Sequence, residues 1–141
     1  MIYVDTSLLA AYYTPEPVSG AVQRFLKAQE GLAISDLVEV ELTSAIARKV
    51  RRRELRPADG QRVQALFLAH LDAGLYTRWP LLRPHYTKAR DWLSLTRLPL
   101  LTLDALHLAV AAAHEVPIVT SDRNLARAAH ALGLAVRAFR G

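Results

Sequence analysis

Asp5 ends the short apolar run Ile2-Tyr3-Val4, and Asp122 follows Ile118-Val119-Thr120-Ser121 in the same manner. In a parallel α/β sheet all strand C-termini lie along one edge, so acids set just after strands converge although they are distant in sequence. Glu41 and Asp104 complete a candidate set of four. Two carboxylates about 4 Å apart repel by roughly 4 kcal/mol at an effective dielectric near 20, and a bound cation resolves that repulsion. The chain has no cysteine and no His-x-x-x-His pair. An oxygen-only donor set of this kind suits a hard ion, Mg²⁺ or Mn²⁺, rather than Zn²⁺. The chemistry it implies is metal-assisted phosphodiester hydrolysis, with the ion polarising the phosphate, activating water and steadying the leaving oxygen.

Each aspartate also has a plainer use. Asp5 precedes Thr6-Ser7-Leu8-Leu9 and reads equally as a helix N-cap. Asp104 falls in the first turn of a helix, where the dipole favours a negative side chain and Thr102 stands ready as the cap. Asp122 opens the helix after the 118–120 run, another capping position. Glu41 separates the readings: on a wheel of about 100° per residue it lies between Leu37 and Ala45, beside Val38 on the inward side, while Glu39 points away. A carboxylate there is costly unless it is protonated, hydrogen-bonded or bound to a cation; pairing with Arg48 is the ordinary alternative. Thr6, Ser7 and Thr120 stand beside these acids, and their hydroxyls suit orienting a carboxylate or a metal-bound water. Of the five histidines, His107 alone shares a helical side with a candidate acid, three residues after Asp104, and it reads as structural. Tyr12, Tyr13, Trp79 and Trp92 read as packing rather than as platforms for nucleic-acid bases.

The elements that must position these residues alternate. Strands are expected over 2–5, 32–35, 75–79, 117–120 and 134–138. Helices are expected over 18–29, 36–53, 58–73, 81–95, 103–114 and 123–132, with a short turn after Thr6. Gly31, Gly74 and Gly133 punctuate helix ends, and the seven prolines fall at or near junctions. This order predicts an α/β domain with a mostly parallel sheet, the helix pair 36–53 and 58–73 forming an excursion between the second and third strands. No linker, repeat or low-complexity tract divides residues 1–141, so a single domain is expected.

With 52% hydrophobic residues the chain can bury a substantial core. The formal charge of +5 favours polyanionic partners such as nucleic acid or an acidic protein. Fifteen of the eighteen basic side chains are arginine, whose planar fork suits phosphate. The run Arg48-Lys49-Val50-Arg51-Arg52-Arg53 also suits a helix C-terminus. Neither a signal peptide nor a stretch of about 18 uncharged apolar residues is present, so a cytoplasmic location without membrane contact is expected. A Gly-rich phosphate loop is missing, which argues against an NTPase. The acids also lack the placement of a receiver domain, whose acceptor aspartate follows a central strand.

Taken in order, Tyr3-Val4-Asp5-Thr6-Ser7, Ser35-Asp36-Leu37-Val38-Glu39-Val40-Glu41-Leu42, Thr102-Leu103-Asp104-Ala105-Leu106-His107-Leu108-Ala109 and Thr120-Ser121-Asp122 resemble the PIN-domain ribonucleases, and within them the VapC toxins of toxin–antitoxin pairs. The resemblance spans almost the whole chain. It implies a three-layer α/β/α sandwich, with Asp5, Glu41, Asp104 and Asp122 as the catalytic acids that hold Mg²⁺ or Mn²⁺. It implies an endoribonuclease acting on RNA, commonly a homodimer, inhibited by a small separate antitoxin. Two other functions fit the same residues: a housekeeping RNA-processing nuclease without an antitoxin, and a non-catalytic nucleic-acid or protein-binding module whose acids are only caps.

Overall fold

The computed structural model describes residues 1–139 and contains one five-stranded sheet, every neighbouring pair parallel, in the order β3-β2-β1-β4-β5. The strands are β1 (Ile2–Val4), β2 (Leu32–Ser35), β3 (Tyr76–Trp79), β4 (Ile118–Thr120) and β5 (Val136–Ala138). The helices are α1 (Thr6–Tyr13), α2 (Ser19–Lys27), α3 (Asp36–Arg51), α4 (Pro57–Asp72), α5 (Arg83–Leu93), α6 (Thr102–Ala113) and α7 (Arg123–Ala131). β2 and β4 are buried at every position, as strands covered on both faces must be. By the right-hand rule for parallel crossovers, the path from β1 outward to β3 carries α1 to α4 on one face. The return through β4 to β5 then places α5 to α7 on the other, giving three layers.

Strand order reverses between β1 and β4, so the crossovers on either side of β1 leave in opposite directions and open a crevice at the strands' C-terminal edge. Asp5 and Asp122 follow the two strands that flank this point. Beneath it the core is built from Tyr3, Leu8, Leu9, Ile34, Leu42, Phe67, Leu108, Ile118 and Leu125, all fully buried. A polar tie runs through that core. The Tyr13 hydroxyl lies 2.6 Å from both His70 Nδ1 and the Tyr76 hydroxyl, joining α1 to α4 and β3.

Helix ends explain most of the remaining boundaries. α4 and α7 both finish in a left-handed glycine, Gly74 and Gly133, each with φ of 74°. In each the two following N–H groups turn back onto the last helical turn: Gly74 donates to Leu71 and Leu75 to His70, Gly133 to His130 and Leu134 to Ala129. α3 and α6 close with the same bond pattern, but on Arg53 and Glu115, at φ of 61° and 55°. Gly31 caps no helix; it lies against Met1, where an added Cβ would meet the sulfur at 3.2 Å.

Two expectations need correction. The segment after Thr6 is a full helix of eight residues rather than a short turn, because Leu8, Leu9, Ala10, Ala11 and Tyr13 all bury. A helix buried on most sides shows no polar period by which a sequence would reveal it. It stops where the Thr14 hydroxyl bonds back to the Ala10 carbonyl, ahead of Pro15. Thr102 is not a cap: α6 has Leu101 at the N-cap without a side-chain bond, and Thr102 is already helical. The aromatic residues behave as packing. Trp79 stacks on His114 at 3.6 Å between centroids, Tyr13 packs against Phe67, and Tyr12 and Trp92 are half-buried against the core.

Candidate active site

Asp5 occupies the cap position of α1, yet its carboxylate caps nothing. Its Oδ2 accepts from the Ser7 and Thr120 hydroxyls, both at 2.6 Å, and the residue is 5% exposed. The period-two alternation of β1 puts Tyr3 and Asp5 on the same face, toward α6. Asp5 Oδ1 has no hydrogen bond among the described residues and lies 3.8 Å from His107 Nε2. A capping role therefore does not account for Asp5.

Asp122 does cap. Its Oδ1 accepts from the backbone N–H groups of Asn124 and Leu125, which satisfies two orphan donors of α7 and leaves Oδ2 unbonded. The turn that carries it is clipped to the rest of the site. Asp122 N–H donates to Thr120 Oγ1 at 2.9 Å, and Ser121 N–H donates to Ser7 Oγ at 3.0 Å.

Glu41 projects from the second turn of α3, half-buried, with Oε1 accepting from Thr6 Oγ1 at 2.7 Å and from His107 Nε2 at 2.5 Å. Its expected alternative partner, Arg48, is not used. Glu39, as its position on the wheel requires, turns outward to form a two-pronged pair with Arg78. Burial pushes the Glu41 carboxyl up, but the hydrogen bond and charge of His107 and the bond from Thr6 outweigh it and hold Glu41 below its usual range.

His107 is the residue whose role the sequence understated. It is 1% exposed, and its Nδ1 lies 2.7 Å from the Tyr3 hydroxyl, which in turn lies 2.8 Å from Ser35 Oγ. An ionised carboxylate only accepts, so Nε2 carries the hydrogen toward Glu41. Burial pushes His107 down; the bond to Glu41 and the charges of Asp5, Glu41 and Asp104 reverse this and hold it above its ordinary value. The chain Ser35, Tyr3, His107, Glu41, Thr6 crosses from the sheet through α6 to α3 and α1. The signal for it was present: Tyr3 is two residues from Asp5 on one strand face, and His107 is three from Asp104 on one helix face.

Asp104 has no hydrogen bond among the described residues. Burial first, then the charges of Asp122, Asp5 and Glu41, push its carboxyl up to about 6, with His107 opposing. Asp104 therefore feels the charges of the other three acids, and the three hydroxyls of Thr6, Ser7 and Thr120 each bond to one of those acids or to a neighbour. Among the described residues no group of three or more Asp, Glu or His side chains is arranged so that it could hold a metal ion. The donors nonetheless fit a hard divalent ion in kind. They are all oxygen, and the hydrogen bonds to Asp5, Glu41 and Asp122 are each gathered on one oxygen, leaving the other available.

Known structures share this architecture. The sarcin–ricin loop cleaving toxin VapC20 of Mycobacterium tuberculosis is 19% identical with a TM-score of 0.73, over 96% of this chain and 97% of that one. FitAcB from Neisseria gonorrhoeae is 20% identical with a TM-score of 0.69, over 96% of both chains. VapBC2 from Rickettsia felis, bound to a DNA fragment from its promoter, is 18% identical with a TM-score of 0.68, over 99% of both. At these identities the likeness concerns the fold. No curated protein sequence matches the chain. The PIN domain model matches residues 2–131, so that nearly every element described above falls within it, and the chain belongs to the PIN domain family.

Proposed function

We propose that this protein is a metal-dependent endoribonuclease, and that it serves as the toxin of a toxin–antitoxin pair. PIN domains are generally nucleases that use divalent metal ions. The observation that supports the reading is Asp104, whose carboxyl is pushed up to about 6 by burial and by the charges of Asp122, Asp5 and Glu41, which come from three other segments. Such mutual repulsion costs stability in the empty state and is relieved by a cation.

Asp5, Glu41, Asp104 and Asp122 would hold Mg²⁺ or Mn²⁺. When bound, the ion supplies a polarised phosphate and a water activated near neutral pH. The protein's own groups fix the donors. Ser7 and Thr120 hold Asp5 by one oxygen, Thr6 and His107 hold Glu41 by one oxygen, and the α7 N-terminus holds Asp122. Each carboxylate is thereby turned with its unbonded oxygen available. The surrounding Tyr3–Ser35 pair keeps His107 from rotating away.

Toxin action, an RNA substrate, a small separate antitoxin, a homodimer and a cytoplasmic location belong to this proposal. Support comes from the family and from a fold shared with VapC20 and with the VapBC and FitAB assemblies. No helix of the described residues is long and apolar enough to cross a membrane. Calorimetric titration of the antitoxin-free protein with Mn²⁺ tests the reading. Saturable binding that disappears in Asp104→Asn and in Asp5→Asn, together with loss of growth arrest in both, is expected. Heat signals identical in wild type and both variants would exclude the acids as the metal site.

A further inference from the structure

The acidic mouth does not end at Asp122. Beyond it, between α7 and β5, lies a cleft of about 460 Å³. Arg123, Arg127 and His130 rise along one wall, spaced at i, i+4 and i+7 so that all three share one helical face. Val136 and the half-buried ring of Phe139 line its apolar side, and Ser121 stands at the end nearest the acids.

What sets these two arginines apart is their place on one wall of the cleft, since among the described residues most arginines form no ion pair. Arg78 is matched with Glu39, and Arg56 and Arg62 share Asp59. Among the described residues neither Arg123 nor Arg127 has a carboxylate partner, and both are exposed. Two unneutralised guanidinium forks on one wall, facing an apolar one, match an anion joined to a flat apolar group. The volume lies within the range of small-ligand pockets and exceeds what a lone phosphate needs. Its distance from the acids is also fixed, because Asp122 N–H is bonded to Thr120 and Ser121 N–H to Ser7.

We propose that this cleft binds one unpaired nucleotide of an RNA strand whose neighbouring phosphate sits at the acid cluster: the phosphate on Arg123 and Arg127, the base against Phe139. The inference rests on the nuclease reading for its ligand class. What it adds is a place for the unpaired nucleotide, since a base inside an A-form duplex cannot be turned into a side cleft. Stacking on an aromatic ring tolerates any base, so strand state rather than sequence is what this subsite reads.

The test is binding of a labelled short single-stranded RNA to the full chain in EDTA, followed by fluorescence anisotropy across a range of KCl concentrations. Arg123→Ala with Arg127→Ala is expected to weaken binding about tenfold or more at low salt. The salt slope should fall by about 0.7, for the one phosphate that the two arginines hold. Phe139→Leu should weaken the single strand at least about fivefold and leave an RNA duplex unaffected. Arg56→Ala, on the far helix pair, should change neither. Thermal melts verify folding, and Arg127→Glu alone provides a second variant at an exposed position. An unchanged affinity and slope in the double variant, or competition by an acidic decapeptide with no effect of the arginines on RNA, would overturn the proposal. Because EDTA removes the metal, RNA held through the cleft by a protein that never cleaves would count against the nuclease reading alone. Cleavage by wild type with unaltered binding in the double variant would count against the cleft alone.

Discussion

His107 Nε2 stands 2.5 Å from Glu41 Oε1 although 66 positions separate the two residues. The bond ties α6 to α3 across the sheet's C-terminal edge and takes up the Glu41 oxygen that also accepts from Thr6. Glu41 is thereby held ionised and aimed.

This relationship makes His107 a positioning residue. His107→Gln keeps a donor of similar reach, whereas His107→Ala leaves Glu41 and Tyr3 without their partner. His107→Ala is expected to lower Mn²⁺ affinity about tenfold to a hundredfold, the usual cost of losing an outer-shell support, and Gln should restore part of it. Calorimetric Kd values for both variants check this. Equal Kd values in wild type and His107→Ala would remove the assignment.

Asp104 predicts a pH dependence of opposite sign to that of most carboxylates. Its folded-state value, about 6, lies above the unfolded one, so between roughly pH 4 and 6 the folded state binds more protons and stability falls as pH rises. In EDTA at pH 7, Asp104→Asn should therefore be more stable than wild type, by about 1 to 2 kcal/mol once solvent screening of a half-buried group is allowed for. That corresponds to a Tm gain of about 3 to 6 °C. Melts at pH 4 and pH 7 measure it: the gain should vanish at pH 4, and added Mn²⁺ should raise the Tm of wild type more than that of the variant.

Thr120 serves two acids at once, donating to Asp5 Oδ2 and accepting from Asp122 N–H. Thr120→Val keeps the shape and removes both bonds, leaving buried polar groups unmatched at about 1 to 3 kcal/mol. Denaturant unfolding should report that loss, with Thr120→Ser close to wild type. A Val variant as stable as wild type would mean that another donor replaces the hydroxyl.

Most of the frame was legible because its signals are local. Short apolar runs marked β1, β2 and β4, the flanking Gly74 and Pro80 marked β3 and Gly133 marked β5, and Gly74 and Gly133 also marked the ends of α4 and α7. α1 was read only as a short turn because Leu8 to Tyr13 is apolar on nearly every side and has no period to read. The acids were legible as a group through strand-end placement, and Glu41 individually through its position on an apolar helix flank. What the sequence left open was which acid caps and which does not. Asp5 and Asp122 look alike in one dimension; only the arrival of Ser7 and Thr120 at Asp5, and of bare N–H groups at Asp122, distinguishes them. His107 was undervalued for the same reason, since both of its partners come from other elements.

The left-handed residue closing α6 offers a test of the fold apart from the site. Glu115 occupies φ of 55°, a region that costs a residue with a Cβ roughly 1 kcal/mol relative to glycine. Glu115→Gly should raise Tm by about 2 to 4 °C, and Gly133→Ala should lower it by a similar amount. Neither change should alter Mn²⁺ binding, so the pair also serves as a control for stability effects in the variants above.

The central claim is that the acid cluster hydrolyses RNA. Purified antitoxin-free protein should be incubated with a panel of structured RNAs in Mg²⁺ or Mn²⁺, beside EDTA and Asp104→Asn. The account predicts discrete cuts that vanish with EDTA and in Asp104→Asn while the variant remains folded. Cleavage that persists at the wild-type rate in Asp104→Asn would contradict it.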